Sequence, residues 1–335
     1  MSTGPAPGGG PDRRGGGVFV SWAPFSRRTE TLAQAFDLDL TFLKTPWPKR
    51  PWTTPVKYPW QAVRTVRELD ARDPGELWVM DPPSLLVAIA GGWAGRHRAP
   101  LVVDMHTVAF FAREWRYLRP LEAPALRAAA AVVVTNEGLA REVRGWGARA
   151  FVLPDPLPAV PAGVGGLADP VDPGLVTVVA TYSKDEPLEL LPAVAESLPQ
   201  LRFAVTGAPR GDLGRWPANL TPTGFLSDRE YWRQLARSAV VVVLTTRPAT
   251  LLSGGYEAVA LGRPLVTSDH AVLRDYFGQA ALYAPADSRQ LSAAVGEAVA
   301  RGSELAEGIV ALRAVREAGW DRAAARLRAV LGRAG

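Results

Sequence analysis

Short apolar runs with strand character alternate with helix-like segments along most of this 335-residue chain. The runs fall at residues 18–22, 38–43, 77–80, 100–104, 131–135 and 150–153, and then at 176–180, 201–206, 239–244, 264–267 and 281–283. Segments with helical spacing separate most neighbouring runs. Strands that alternate with helices are typical of parallel βαβ units, so the sequence predicts the α/β class.

One stretch interrupts the alternation and predicts two domains. Residues 155–174 are rich in Pro, Gly, Ala and Val and show little periodicity, as expected of a linker. We therefore expect a Rossmann-like N-terminal domain over 18–154 and a second over 175–320. Residues 321–335 are predicted to form a C-terminal helix that packs back on the first domain. Residues 1–17, rich in Gly and Pro, are expected to be a disordered tail.

Composition narrows the chemistry. The chain has no cysteine, which excludes disulfides, thiolate nucleophiles and cysteine-based zinc sites. A formal charge of +5 is compatible with phosphate-bearing substrates or anionic lipid. The three histidines lack metal-ligand spacing, so no metal is expected. No apolar run reaches transmembrane length, and we expect a cytoplasmic protein, at the inner face of the plasma membrane.

A small-residue segment at the start of a predicted helix is the best candidate for a ligand site. It runs Ser253, Gly254, Gly255, Tyr256 and Glu257. The first N–H groups of a helix lack intrahelical partners and lie at the positive end of its dipole, so they suit an anion such as a diphosphate. A carboxylate beside them can accept hydrogen bonds from ribose or sugar hydroxyls. The pattern predicts a nucleotide-sugar pocket.

An ordered series of motifs gives the second half a family resemblance. It resembles the donor domain of GT-B glycosyltransferases in the family 4-like and family 1-like group, on residues 201–207, 223–226, 228–231, 254–266 and 282–287. The first half is similar to the acceptor domain of that group on residues 81–83, 103–107 and 133–137. The resemblance implies two Rossmann-like domains facing across a cleft, transfer of a hexosyl unit from a nucleotide-diphosphate sugar, and retention of configuration without a metal.

Two positions depart from the family pattern. The family commonly has two glutamates eight positions apart. Glu257 matches the second of them, and Ala249 stands where the first is expected. The usual arginine-lysine pair is reduced to Lys184. These departures leave open a divergent subfamily or an impaired enzyme, and Ala249 in particular favours the alternative of a non-catalytic sugar-nucleotide-binding subunit. A nucleotide-sugar epimerase on the same fold is a further alternative.

The resemblance assigns expected roles to particular residues. Lys184 would neutralise charge on the leaving diphosphate, His106 would orient the donor sugar or move a proton at the acceptor, and Glu257 would bind the ribose; these three are the expected catalytic residues. A solvated lysine and a packed histidine are the alternatives. The expected donor-binding residues are Thr181, Ser183, Lys184, Gly207, Ser253, Gly254, Gly255, Tyr256 and Glu257, and the acceptor-side residues are Ser26, Arg27, Arg28 and His106.

A basic and aromatic segment follows the second strand-like run. Its residues Lys44, Trp47, Lys49, Arg50 and Trp52 combine groups that favour the headgroup region of an anionic membrane. The prolines among them argue against a long helix. Peripheral membrane docking would place the enzyme near a lipid-linked or cell-surface glycan precursor, as in polysaccharide biosynthesis. The alternative is a loop that packs its tryptophans on the first domain. Nucleic-acid binding has no supporting motif.

Overall fold

The structure, a computed structural model, describes residues 15–47, 51–164, 170–209 and 216–332. The chain divides into two compact units. The first comprises Met1–Asp155 and Ala323–Gly335, and the second comprises Pro156–Arg322. Each unit contains a parallel sheet of six strands within the described ranges. The predicted α/β class with two Rossmann-like halves is therefore confirmed.

The first unit is built on a sheet with the strand order β2-β1-β3-β4-β5-β6. Its strands are β1 Gly15–Ser21, β2 Asp39–Phe42, β3 Pro74–Asp81, β4 Leu101–Met105, β5 Ala131–Val134 and β6 Ala150–Val152. Its helices are α1 Arg27–Ala35, α2 Thr54–Arg72, α3 Ser84–His97, α4 Thr107–Phe111, α5 Arg113–Ala128 and α6 Glu137–Gly145. Strands β4 and β5 are buried at every position, as expected for parallel strands covered on both faces.

The first strand begins earlier than the sequence predicts. Gly15 and Gly17, which fall in the predicted disordered tail, are part of β1 and pair with Pro74 and Glu76 of β3. A Cβ atom on Gly17 would lie 2.4 Å from Cδ2 of Leu38, so glycine permits this close approach. The glycines that indicated disorder instead allow the strand to pack.

Two helices are longer than the sequence predicts because prolines lie within them. The spacing of the sequence predicts a helix over 62–69, within α2, and another over 125–130, at the end of α5. Pro55 lies in the first turn of α2, where an N–H group has no helical partner to lose. Pro59, Pro120 and Pro124 lie inside their helices. The expectation that the prolines of residues 42–60 exclude a long helix is wrong for residues 54–60, where α2 runs through Pro59 because tertiary packing outweighs the lost backbone hydrogen bond.

The second unit is built on a sheet with the strand order β12-β11-β10-β7-β8-β9. Its strands are β7 Asp172–Val179, β8 Arg202–Thr206, β9 Leu220–Gly224, β10 Ser238–Val243, β11 Leu265–Ser268 and β12 Ala281–Ala284. The helices are α7 Leu191–Ser197, α8 Asp228–Arg237, α9 Ser253–Leu261, α10 Ala271–Phe277 and α11 Ser288–Ala300. Helix α12, Gly302–Leu331, begins in this unit, and its residues from Ala323 onward belong to the first unit. Strand β7 starts inside the stretch predicted to be a linker. Residues 321–331 continue α12 rather than forming a separate helix.

The strand order of each sheet predicts where that unit would bind a ligand. Ligands of open parallel sheets bind beyond the carboxyl ends of the strands, at the point where the strand order reverses. In the first sheet this point lies between β1 and β3, and in the second it lies between β7 and β10. Both points carry candidate functional residues.

Candidate active site

Hydrogen bonds join the loops that follow β7 and β10. The Thr245 hydroxyl donates to Oδ2 of Asp185 at 3.1 Å, and the Thr246 N–H donates to the Asp185 carbonyl at 2.7 Å. Arg247 forms an ion pair with Oδ1 of Asp185 at 3.0 Å. Asp185 therefore fixes the two loops that flank the reversal point of the second sheet.

The loop after β7 is organised by one glutamate. Both carboxylate oxygens of Glu186 accept from the Thr181 N–H, at 2.9 and 3.1 Å, and Oε2 also accepts from the Ser183 N–H at 3.2 Å. Tyr182 has a left-handed backbone with φ of 57°, a conformation that costs about 1–3 kcal/mol for a non-glycine residue. Lys184 is exposed on this ordered loop, so its ammonium group is available to a ligand.

The neighbouring strand ends with a glycine that no other residue can replace without strain. Gly207 has φ of 84°, and a Cβ atom there would lie 2.4 Å from the Ala180 carbonyl oxygen. Gly207 therefore lets the end of β8 approach the loop that carries Thr181 and Lys184.

Helix α9 begins against the ends of both central strands. A Cβ atom on Gly254 would lie 2.9 Å from side-chain atoms of Val179 and 3.0 Å from Val243, and one on Gly255 would lie 2.6 Å from Phe277. The two glycines are thus required for packing, whether or not a ligand is present. The Gly255 N–H donates to the Leu252 carbonyl at 3.0 Å. Ser253 is exposed at the first helical position.

Glu257 is more enclosed than a surface carboxylate. Its side chain lies in the second turn of α9 and the residue is 4% exposed. The Tyr231 hydroxyl on α8 donates to its Oε2. Tyr256, the preceding residue, is buried and packs edge-on against Tyr276 with ring centroids 5.1 Å apart. The carboxylate of Glu257, which was predicted to bind ribose, is therefore oriented by a tyrosine that the sequence did not single out.

In the first unit, a buried carboxylate joins an arginine to the candidate histidine. Asp104 is completely buried in β4. Its Oδ1 accepts from Nε of Arg28 at 2.8 Å, and its Oδ2 lies 3.0 Å from Nε2 of His106. Arg28 also donates to Oδ1 of Asp155 at 2.6 Å and to the Leu153 carbonyl at 3.0 Å.

These contacts set the protonation of the network. Burial alone would raise the pKa of Asp104, but Arg28 and then His106 outweigh it and hold that pKa below its usual range. Burial opposes the charge on Arg28, but Asp104 and Asp155 raise its pKa above the ordinary value. Asp104 is thus an ionised acceptor, so Nε2 of His106 carries the hydrogen that points to it. In the neutral ring Nδ1 is left as the acceptor.

The structure separates the three acceptor-side candidates on α1. Ser26 is the N-cap of α1, and its hydroxyl accepts from the Thr29 N–H at 3.2 Å. Arg27 is exposed. Arg28, expected to contact phosphate, is instead 8% exposed and uses its guanidinium in the buried network. A helix start can present one arginine to solvent and the next to the core, because successive positions lie about 100° apart around the axis.

A second buried acidic cluster lies at the end of β3. Asp81 and Glu122 are both fully buried, and Arg119 lies 3.0 Å from Oε1 of Glu122. Burial and then the neighbouring Glu122 raise the pKa of Asp81 well above its usual value. Burial likewise raises the pKa of Glu122. With one arginine for two carboxyl groups, the pair retains a proton at a pH where an exposed carboxylate is ionised.

The basic and aromatic segment is partly packed. Trp47 meets Trp60 edge-on with centroids 5.5 Å apart. Trp52 remains 68% exposed and Lys44 is exposed, whereas Lys49 and Arg50 lie outside the described residues. The tryptophans therefore divide between domain packing and the surface.

Two features are absent from the residues that the structure describes. No group of three acidic, histidine or cysteine side chains there is arranged to hold a metal ion. In the same ranges, no helix has both the length and the apolar character needed to cross a membrane.

Sequence reasoning missed several residues that organise the site. The sequence pattern predicts no role for Asp185, Glu186, Arg247 or Tyr231. The available signal was their position just after strands or on the helix facing Glu257, but their partners become adjacent only through the strand order of the sheet.

Comparisons with known proteins agree with this architecture. Residues 3–155 match the glycosyl transferase 4-like domain, and residues 187–329 match the glycosyl transferase-like model. The fold and these matches define a GT-B glycosyltransferase. Within that class, the chain belongs to the family 4-like enzymes, which are nucleotide-sugar-dependent and retaining. None of the curated proteins compared with it matches significantly.

Solved structures share the fold at low sequence identity. Sucrose-phosphate synthase from Thermosynechococcus elongatus has a TM-score of 0.71 and 15% identity, over 96% of this chain and 99% of that one. Anabaena HepE in complex with UDP has a TM-score of 0.68 and 13% identity, over 94% and 99%. The UDP-forming trehalose-phosphate synthase from Burkholderia vietnamiensis has a TM-score of 0.67 and 13% identity, over 93% and 99%.

Proposed function

We propose that this glycosyltransferase transfers a hexosyl unit from a nucleotide-diphosphate sugar to a lipid-linked or cell-surface glycan precursor, with retention of configuration. The observation that carries the donor site is the Asp185-linked pair of loops at the reversal point of the second sheet. HepE, with the same fold, has been solved with UDP and with UDP-glucose, so these two compounds are the first to test.

Two cations lie on the loops that would surround the diphosphate. Lys184 is exposed after β7, and Arg247 follows β10 with its side chain 54% exposed. Fixed positive groups stabilise the negative charge that develops on a leaving diphosphate. Arg247 thereby supplies the second cation that the family pattern expects before Lys184. The ion pair with Asp185 holds it near the site.

The start of α9 and Glu257 complete the donor site in this proposal. The helix end suits the diphosphate. The Glu257 carboxylate accepts the ribose hydroxyls once the neighbouring side chains admit them, with Tyr231 retained on Oε2. Ala249 offers no carboxylate, so a single glutamate serves this site.

His106 is proposed to act on the acceptor side. Its side chain is 24% exposed, and Asp104 fixes its orientation. Nδ1 is then positioned either to accept a proton from the acceptor hydroxyl or to bind a donor hydroxyl.

The experiment tests binding and turnover separately. UDP, GDP and ADP are added to the full chain, and the nucleotide that raises the melting temperature identifies the base; a ligand at 100 times its Kd adds about 2.7 kcal/mol. Labelled nucleotide sugars are then incubated with a membrane extract. Transfer of label into lipid supports the proposal. Isomerised free nucleotide sugar would support an epimerase instead, and binding without turnover would support a non-catalytic subunit.

Substitutions test whether the two cations act on the leaving diphosphate. Lys184→Ala and Arg247→Ala are each expected to lower kcat by about 10²-fold, the scale of losing one stabilising group. Arg237→Ala is the matched control. Arg237 is exposed in the last turn of α8, directly before β10, and so lies at the amino-terminal ends of the strands rather than at the carboxyl ends that carry the candidate site. Equal activity in all three variants would remove both cations from the mechanism.

Membrane docking is proposed for Lys44, Trp47, Lys49, Arg50 and Trp52. The exposed Trp52 and Lys44 support it, since cations and tryptophan favour an anionic interface. Trp52→Ala combined with Lys44→Ala is expected to reduce co-sedimentation with vesicles containing phosphatidylserine. Unchanged co-sedimentation would show that this segment does not bind the membrane.

A further inference from the structure

The first unit has a small aromatic cavity at the reversal point of its sheet. The cavity has a volume of about 170 Å³. Its walls include Trp22 after β1, Tyr58 and Gln61 on α2, Pro82 after β3 and Trp115 on α5. None of these residues belongs to the donor site described above. The strand order of the sheet brings them together, between the carboxyl ends of β1 and β3.

The aromatic walls offer ring surfaces. Trp22 and Tyr58 stack with centroids 5.9 Å apart and an interplanar angle of 25°. The Trp22 indole N–H donates to the Thr65 hydroxyl at 2.9 Å, so its polar group is already satisfied within the protein. What Trp22 presents to a ligand is therefore apolar surface.

One polar atom in the wall lacks a partner. Gln61 is completely buried, and its Nε2 donates to the Leu43 carbonyl at 2.9 Å. Its Oε1 is buried and accepts no hydrogen bond within the described residues. A buried acceptor without a donor is unfavourable, because it has lost its hydrogen bonds to water and gained none in the protein. A ligand that carries an O–H or N–H group would remove that cost, whereas a hydrocarbon would retain it.

The cavity lies beside the candidate histidine. The backbone N–H of His106 donates to the backbone carbonyl of Asp81 at 2.8 Å. Asp81 directly precedes Pro82, which lines the cavity. A ligand in the cavity would thus be at the strand end next to the one that carries His106.

We infer that this cavity binds one sugar ring of the acceptor, with the apolar face of the ring against Trp22, Tyr58 and Trp115 and a hydroxyl donating to Gln61 Oε1. This inference rests on the proposed function and names the acceptor class for it. Lys57 also lines the cavity and none of the cavity-lining residues is acidic, so the ring is neutral or carries an acidic substituent rather than an amine.

The test uses simple sugars as probes on the full chain. Methyl glucoside, methyl mannoside and N-acetylglucosamine are titrated with saturation-transfer NMR as the readout, and cyclohexane-based rings without hydroxyls serve as comparison ligands. At least one sugar is expected to bind. Trp115→Ala is expected to weaken that binding about tenfold, since an aromatic contact contributes up to about 1.5 kcal/mol beyond buried area. Trp115→Phe should restore most of it.

Two further variants make the result specific. Tyr117→Ala is the matched control, because Tyr117 lies on the same helix, is 74% exposed and does not line the cavity. Gln61→Met removes the acceptor oxygen, and its melting curve checks that the fold persists. Sugar binding that is absent, or equal in all variants, would overturn the inference. The nucleotide shift in melting temperature is read in the same samples; if it persists, the proposed donor function stands although the cavity assignment fails.

Discussion

Removal of the Arg28 side chain should destabilise the first unit strongly. Arg28→Ala leaves Asp104 completely buried, with its Oδ1 without the guanidinium that lies 2.8 Å away. Removing one partner of a buried ion pair costs about 3–5 kcal/mol, because the remaining charge is uncompensated. For a unit of this size each kcal/mol corresponds to roughly 2–4 °C. We therefore expect the melting temperature of this unit to fall by about 6–20 °C.

The assay is thermal unfolding followed by calorimetry near pH 7, and Arg27→Ala provides the control. Arg27 is adjacent and exposed, so its loss should change stability by no more than about 0.5 kcal/mol. If both variants melted together, the buried network would not contribute as argued.

The pH dependence gives an independent check on the same variant. The pKa of Asp104 is lowered in the folded protein, so the pair stabilises above the unfolded aspartate pKa of about 3.9, and this stability is lost as pH falls through the folded pKa. The difference between wild type and Arg28→Ala should therefore shrink on acidification. A constant difference would indicate that lost packing, rather than charge, explains the effect.

Three further changes have defined outcomes. Burial and the neighbouring Glu122 raise the pKa of Asp81, so the wild type loses stability as pH rises from the unfolded to the folded pKa of this group, and Asp81→Asn should lose less. The free energy of unfolding of both proteins is measured in urea from pH 4 to 8; the same pH dependence in both would contradict this. Gly255→Ala should cost about 1–3 kcal/mol by overpacking against Phe277, and an unchanged melting curve would contradict it. Glu257→Gln should lower transfer and weaken the stabilisation by UDP, because the proposed ribose contact loses its carboxylate; normal transfer with unchanged stabilisation would exclude the carboxylate from the donor site.

The placement of Lys184 illustrates what sequence reasoning captured. A strand followed by a short polar loop identifies a ligand-facing edge, since the carboxyl ends of parallel strands carry the binding loops. The structure has Lys184 exposed on that loop. The roles of Glu186 and Asp185 were not predictable from the same pattern, because a carboxylate beside a lysine is usually a solvated charge. Only the adjacency of β7 and β10 gives Asp185 its partners on the next loop.

Arg28 and the prolines of α2 and α5 show where local reasoning failed. An arginine at a helix start is most often exposed, and a proline usually interrupts a helix. In this fold Asp104 and Asp155 compensate the buried guanidinium, and packing retains the helices around Pro59, Pro120 and Pro124. These compensations involve residues distant in sequence, so they were not visible in a single segment.

The sequence by itself determined the α/β class, the two halves and the family, because strand and helix periodicity and the motif order are local properties of the chain. Tertiary structure alone decided which loops meet, which arginine is buried and where a cavity opens between β1 and β3. The physical reason is that strand order sets neighbours, and ion pairing, desolvation and ring stacking depend on neighbours a few ångströms away rather than on separation along the chain.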